Sequence, residues 1–379
     1  MMERAVQFTN EQHQFRRDVR AFLAQQKDHY IPACDAWLSG SDRHFTKKLA
    51  QQGWIGLTWP TAYGGQGRSA IDRYILIEEL LAAGAPVAAH WFADRQTGPL
   101  LLRYGTEAQR SFFLPKIAAG DCCFAIGLSE PNSGSDLASV STKAIKVDGG
   151  WRVTGAKTWT SNAHDADYMI ALVRTSPQTA VKQQGLSQLI LDLRADGVTI
   201  SPIRFLTGEA HFNDVVFDEV FVPDEHVVGT IGNGWEQGLA ELAFERSGPE
   251  RILSTYILLE EALRILRTQQ QQQAIMQLMP LVADLWALRA LSLDVAYALD
   301  AGKDVHIQAA LVKLLGTRFE QLVPVIVRTL LDVAPHLAAH RAVDRYMAQA
   351  LLHAPGFSIR GGTSEILMSI LAKGVVAHE

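Results

Sequence analysis

Residues 124–136, Phe-Ala-Ile-Gly-Leu-Ser-Glu-Pro-Asn-Ser-Gly-Ser-Asp, run from a short apolar stretch into a loop dense in backbone N–H and hydroxyl groups. A second segment, Gly155-Ala-Lys-Thr-Trp-Thr-Ser-Asn162, ends in an aromatic residue and a cluster of hydroxyl and amide groups. Each reads as a strand that stops in a set of hydrogen-bond donors. Fixed donors at two strand ends can bond the edge of a flat, polar heterocycle without reorganising. A flavin is the expected occupant.

Other chemistry finds less support. Ser129 and Ser135 have no histidine close in sequence to activate them as nucleophiles. His13 stands without a second ligand at helical spacing, and His336 and His340 lack cysteine or acidic companions for a metal. No Gly-x-Gly-x-x-Gly follows a strand, which argues against a nicotinamide-binding unit. Cys34, Cys122 and Cys123 are too few for a disulfide framework and are expected to be inert thiols.

The elements that must position these groups form three blocks. At 379 residues and 48% hydrophobic, the chain can bury a large core divided among two or three domains. Its net charge of −5 offers no basic footprint for nucleic acid or anionic lipid. The first residues have no apolar leader segment and no stretch reads as a membrane span, so a cytoplasmic protein is expected. Residues 1–120 read as helices, with apolar spacings of three and four over 8–26 and 74–83 and a capping threonine at Thr106. The loop 59–67 punctuates them. Residues 121–230 turn β-rich. Val147-Asp-Gly-Gly-Trp151 signals a hairpin, and 168–173, 189–193 and 214–222 read as strands. Residues 231–379 are helical again, with helices expected over 281–291, 308–315 and 320–331. The glutamines 269–273 are expected in a solvated helix or an inter-helix loop.

This layout, with Leu-Ser-Glu-Pro-Asn-Ser-Gly-Ser-Asp at its centre and Gly361-Gly-Thr-Ser-Glu-Ile366 near the end, resembles the acyl-CoA dehydrogenase family over nearly the whole chain. The resemblance implies an α+β fold with an N-terminal helical domain, a central β-barrel domain and a C-terminal four-helix bundle. It implies FAD held between domains and across a subunit interface, and α,β-dehydrogenation of an acyl-CoA thioester. Electrons then pass to an electron-transfer flavoprotein; an oxidase of the same fold, using O2, is the alternative. By position, Leu128 and Ser129 would bond the pyrimidine edge of the flavin, Trp159 would pack on its ring system and Ser161 would donate near N5. Thr363 and Glu365 would line FAD, and Ser135 and Arg246 would serve the substrate.

Many members place their catalytic glutamate just before the Gly-Thr of the C-terminal motif, where this chain has Gly361. A branch resembling isovaleryl- and long-chain acyl-CoA dehydrogenases carries it instead on the first helix after the β domain. The matching residue is Glu245, followed by Arg246. On a helix, Glu245 lies at the margin of an apolar stripe of Trp235, Leu239 and Leu242, where partial desolvation would strengthen it as a base. The bland alternative makes it a solvated carboxylate, with Arg246 and Glu250 a surface pair four residues apart. The resemblance also assigns the Gly361 N–H to the thioester oxygen. Two signatures for the ADP half of FAD are missing. Residues 263–270 replace an Arg-x-x-Phe-Gly motif, and 331–340 contain no glycine where Gln-x-x-Gly-Gly-x-Gly is usual. Either other residues do that work in a homotetramer, or a related subunit does it in an α2β2 heterotetramer. In the second case this chain could also be a catalytically silent partner.

Overall fold

A computed structural model describes residues 8–238 and 246–376. They fold as two compact units that are not continuous in sequence. One comprises residues 8–40, 68–86 and 246–376; the other comprises 41–67 and 87–238.

In the first unit, helices Asn10–Gln26 and Ala70–Ala82 both open with capping boxes, Thr9 with Gln12 and Ser69 with Asp72, each satisfying two otherwise orphaned N–H groups. Phe15, Val19 and Phe22 recur on one face of the first helix, which packs on the second. Glu78 and Glu79 on the second helix bind Arg16, Arg20 and Arg289. Helices Tyr256–Thr268, Gln272–Asp300, His306–Leu330 and Ala342–Phe357 form a bundle, and Ser364–Val376 packs on His306–Leu330.

Three expectations change here. The helix read as 281–291 is part of one 29-residue helix, Gln272–Asp300. That helix is long and apolar enough to cross a membrane by length and composition, contrary to the reading that no stretch is. Its charges are spread thinly, and it contacts three helices of its own unit. The helices read as 308–315 and 320–331 are a single one, His306–Leu330, running through Gly316. A side chain at 316 would place its Cβ 2.1 Å from the carbonyl oxygen of Arg251, so this glycine marks a close approach and not a break.

The second unit holds a sheet of eight strands: β1 (Phe124–Gly127), β2 (Lys143–Val147), β3 (Gly150–Ser161), β4 (Tyr168–Arg174), β5 (Leu186–Asp192), β6 (Val198–Ile203), β7 (Phe212–Pro223) and β8 (Val227–Val228). The order is β6-β7-β3-β2-β4-β5-β8, with β1 added in parallel on β4. The β2–β3 hairpin pairs Val147 with Gly150 around Asp148-Gly149. β2 pairs with β4 in parallel through Lys143 and Arg174. The sheet core is apolar, from Val153, Met169 and Ala171 to Leu189, Val215 and Phe217. Helix Glu107–Ala118, capped by Thr106 with Gln109, belongs to this unit. Cys34, Cys122 and Cys123 are free and buried, and burial pushes the last two thiols up to about 12 and about 11.

Candidate active site

The two strand-tip motifs lie in the sheet unit. β1 ends at Gly127, and the Leu128 side chain packs on Val140, Leu172 and Leu186, anchoring the loop that follows. Glu130 and Lys157 form a buried pair at 2.7 Å beneath it. Lys157 Nζ also donates to the Leu128 carbonyl (3.1 Å), and the Thr158 N–H donates to the Ser129 carbonyl (3.0 Å). Glu130 accepts in addition from the N–H groups of Ser141 and Thr142. Burial alone would raise the Glu130 carboxyl, but Lys157 and these donors outweigh it and hold it at about 2. Burial pulls Lys157 the other way, down to about 8, against Glu130. Both values leave the pair ionised at neutral pH, so the loop is clamped from below by charge-assisted bonds.

Trp159 is turned out of the sheet by an irregularity. β3 pairs Lys157 with Val215 and Thr160 with Asn213, so two residues stand against Asp214 alone. Trp159 takes φ +56°, the left-handed region that bulky residues avoid. Its indole is 55% exposed while Lys157, two residues earlier, is 0% exposed. Simple alternation would put both on one face. The ring meets Phe212 edge-on at 6.0 Å. Ser161 ends β3 nearly buried, and the next residue, Asn162, is also left-handed, its N–H donating to the His211 carbonyl. Ser135 lies exposed in the loop 131–136, whose Asp136 pairs with Lys182 at 2.8 Å. Thr207 and Glu209 bond one another and close their own turn.

The C-terminal motif lies in the helical unit. Gly361 and Gly362 have φ +67° and +97°, which only glycine adopts without strain. Arg246 Nε donates to the Gly361 carbonyl at 3.2 Å. Thr363 caps the next helix, its hydroxyl accepting from the Ile366 N–H at 3.3 Å, and Glu365 is exposed in the first turn. Glu245, Leu239 and Leu242 lie outside the described residues. Arg246 and Glu250 are 5% and 1% exposed, so they are no surface pair. Among the described residues no cluster of three metal-ligating side chains occurs, and His336 and His340 sit in an irregular connection. A surface cavity of about 320 Å³ is lined by Arg43, His164, Asp165 and Arg194 and by none of the site residues; both arginines are bonded to neighbouring aspartates.

Three consecutive matches cover nearly all of this sequence: the acyl-CoA dehydrogenase N-terminal domain over residues 9–121, the middle domain over 125–220 and the C-terminal domain over 232–376. The chain belongs to the acyl-CoA dehydrogenase family. Among its relatives, the acyl-CoA dehydrogenase FadE34 of Mycobacterium tuberculosis is 35% identical over 334 residues, 86% of this chain. The chain spans 45% of the length of that relative. The solved Tcur3481-Tcur3483 steroid ACAD superposes with a TM-score of 0.88 at 28% identity over 99% of each chain. The ChsE4-ChsE5 complex from Mycobacterium tuberculosis does so at 0.85 and 27%, again over 99% of each.

Within this acyl-CoA dehydrogenase fold, sequence reasoning missed the buried charges. Lys157 and Glu130 sit inside the very motifs read as donor loops, yet nothing in their spacing announces that they pair. Nor does it announce Asp35, Arg251 and Arg360 near the C-terminal motif.

Proposed function

We propose that this chain is a subunit of an FAD-dependent acyl-CoA dehydrogenase, which removes an α-proton and a β-hydride from an acyl-CoA thioester and hands the electrons to an electron-transfer flavoprotein. The observation that carries the reading is Trp159, a strained and exposed indole beside a donor loop clamped by a buried ion pair. Strain of this kind persists where a ligand uses it.

Bound FAD would supply the hydride acceptor; the residues of this chain would do the rest. Leu128 and Ser129 would hold the pyrimidine edge, Trp159 would cover the ring system, and Ser161 would donate near its reactive nitrogen. Thr363 and Glu365 would line the cofactor from the C-terminal motif. Glu245 would take the α-proton. A carboxylate cannot do so unless the charge developing on the thioester oxygen is stabilised, and the Gly361 N–H would donate to that oxygen. Ser135 and Arg246 would hold the substrate, Arg246 through the Gly361 carbonyl it already bonds.

The likeness to a steroid ACAD supports a steroid side-chain thioester as substrate. The absent ADP signatures, together with the likeness to a ChsE4-ChsE5 complex, support an α2β2 heterotetramer over a homotetramer. The test is to purify the chain alone and together with the product of its neighbouring gene. A yellow complex only in the second case supports the heteromer. Anaerobic acyl-CoA should then bleach its flavin, and Glu245→Gln should lower kcat at least ~10²-fold with flavin content unchanged. Full activity in Glu245→Gln would make this chain a silent partner. Turnover in air with peroxide released would make the enzyme an oxidase.

A further inference from the structure

Three arginine side chains converge on the Gly361–Gly362 turn. Arg246 bonds the Gly361 carbonyl. The Arg251 guanidinium fills the space beside Gly361, where a Cβ would stand 2.9 Å from Nη2. Arg360, the residue immediately before the turn, binds Asp35 through both terminal nitrogens at 2.5 and 2.7 Å. Arg251 and Arg360 both lie over the ring of Trp37, at 5.0 and 4.7 Å. Ser254 joins the set: its Oγ accepts from Trp37 Nε1 and from Arg360 Nη2, each at 3.3 Å, and its carbonyl accepts from the Asp35 N–H at 2.8 Å.

Asp35, Trp37 and Arg251 are at most 3% exposed. Asp35 takes a left-handed conformation, φ +57°, which few residue types other than asparagine and aspartate tolerate. Although burial pushes its carboxyl up, Arg360 and His353 hold it well below the ordinary range, so the pair is ionised. Buried ion pairs of this kind add little stability over apolar residues of the same size, while breaking one leaves a charge stranded. What the arrangement does supply is a fixed direction, since a two-pronged guanidinium–carboxylate bond on a stacked arginine leaves the adjoining backbone little freedom.

We propose that Asp35, Trp37 and Arg360 are positioning residues that fix the aim of the Gly361 N–H toward the thioester oxygen. The proposal rests on the reading of Gly361 given above. An N–H donor of this kind is worth about 10²–10³ in kcat when well aimed, so partial loss of aim should cost about tenfold.

The test uses the flavin-loaded complex and Asp35→Asn, which keeps the shape and removes the charge. Three results are expected. The peptide spanning 356–367 should exchange amide hydrogens faster. With acetyl-CoA labelled at the carbonyl with ¹³C, which has no β-carbon to oxidise, the bound carbonyl stretch should move to higher wavenumber than in the parent protein. Finally, kcat should fall about tenfold while KM changes far less, the sign of an interaction made in the transition state. If Asp35→Asn does not fold, Arg360→Lys and Trp37→Phe carry the same measurements, since each removes a bond and leaves charge or ring in place. Unchanged carbonyl frequency and kcat in a folded variant would overturn the proposal, as would faster exchange with catalysis intact. A parent complex that binds no flavin and oxidises no acyl-CoA would sink the functional reading instead.

Discussion

Trp159 poses a question that magnitudes can decide. As an ordinary core aromatic, its removal would cost about 3–5 kcal/mol. An exposed indole held at positive φ is different. Trp159→Gly would relieve backbone strain of about 1–2 kcal/mol and would lose an edge contact to Phe212 of about 1 kcal/mol, plus a similar entropy term in the unfolded chain. These nearly cancel. The flavin-free variant should therefore unfold within about 1 kcal/mol of the parent, while FAD binding weakens about tenfold through loss of the ring contact. Denaturant titration and flavin fluorescence check the two halves. A stability loss of several kcal/mol, or unchanged flavin affinity, would return Trp159 to the core and remove the observation on which the functional reading stands.

At the scale of elements, the helix His306–Leu330 depends on a residue that usually weakens helices. Gly316→Ala should gain up to about 1 kcal/mol of helix propensity. Its new methyl, however, would meet the Arg251 carbonyl at 2.1 Å, and overpacking of that kind costs about 1–3 kcal/mol. Net destabilisation in urea is expected, and a stabilised variant would contradict the close approach. The same glycine shows where sequence reading loses its grip. Capped helix starts at Thr9, Ser69 and Thr106 carry local signals, and local signals survive folding. Gly316 carries the identical local signal whether it ends a helix or admits a neighbouring backbone, and only tertiary packing chooses. The strand-tip motifs at 124–136 and 155–162 were legible for the same local reason, but the irregularity that turns Trp159 outward is set by its pairing with β7. Pairs such as Asp35 with Arg360, 325 residues apart, leave no trace in spacing at all.

Over the whole molecule, the helix Gln272–Asp300 leaves much of its apolar surface uncovered, with only 17% of its most apolar window buried. Met276, Trp286, Leu291 and Tyr297 are all exposed along it. Trp286 lies 5.6 Å from Arg289, which is itself tied to Glu78 at 2.9 Å, so its ring is braced before any partner arrives. A rigid, exposed tryptophan is the usual kind of anchor at a protein interface, and its loss there costs 2 kcal/mol or more, about thirtyfold in affinity. We therefore expect Trp286→Arg to weaken association of the assembled complex at least about thirtyfold, read by native mass spectrometry across a dilution series. The isolated subunit should unfold at the temperature of the parent subunit, because a surface substitution away from the core changes little. Because the contact is apolar, raising the salt concentration should not rescue or further weaken the variant, whereas an interface built on ion pairs would respond. An assembly untouched by Trp286→Arg would place the subunit contact elsewhere and leave this face of the helix to another partner.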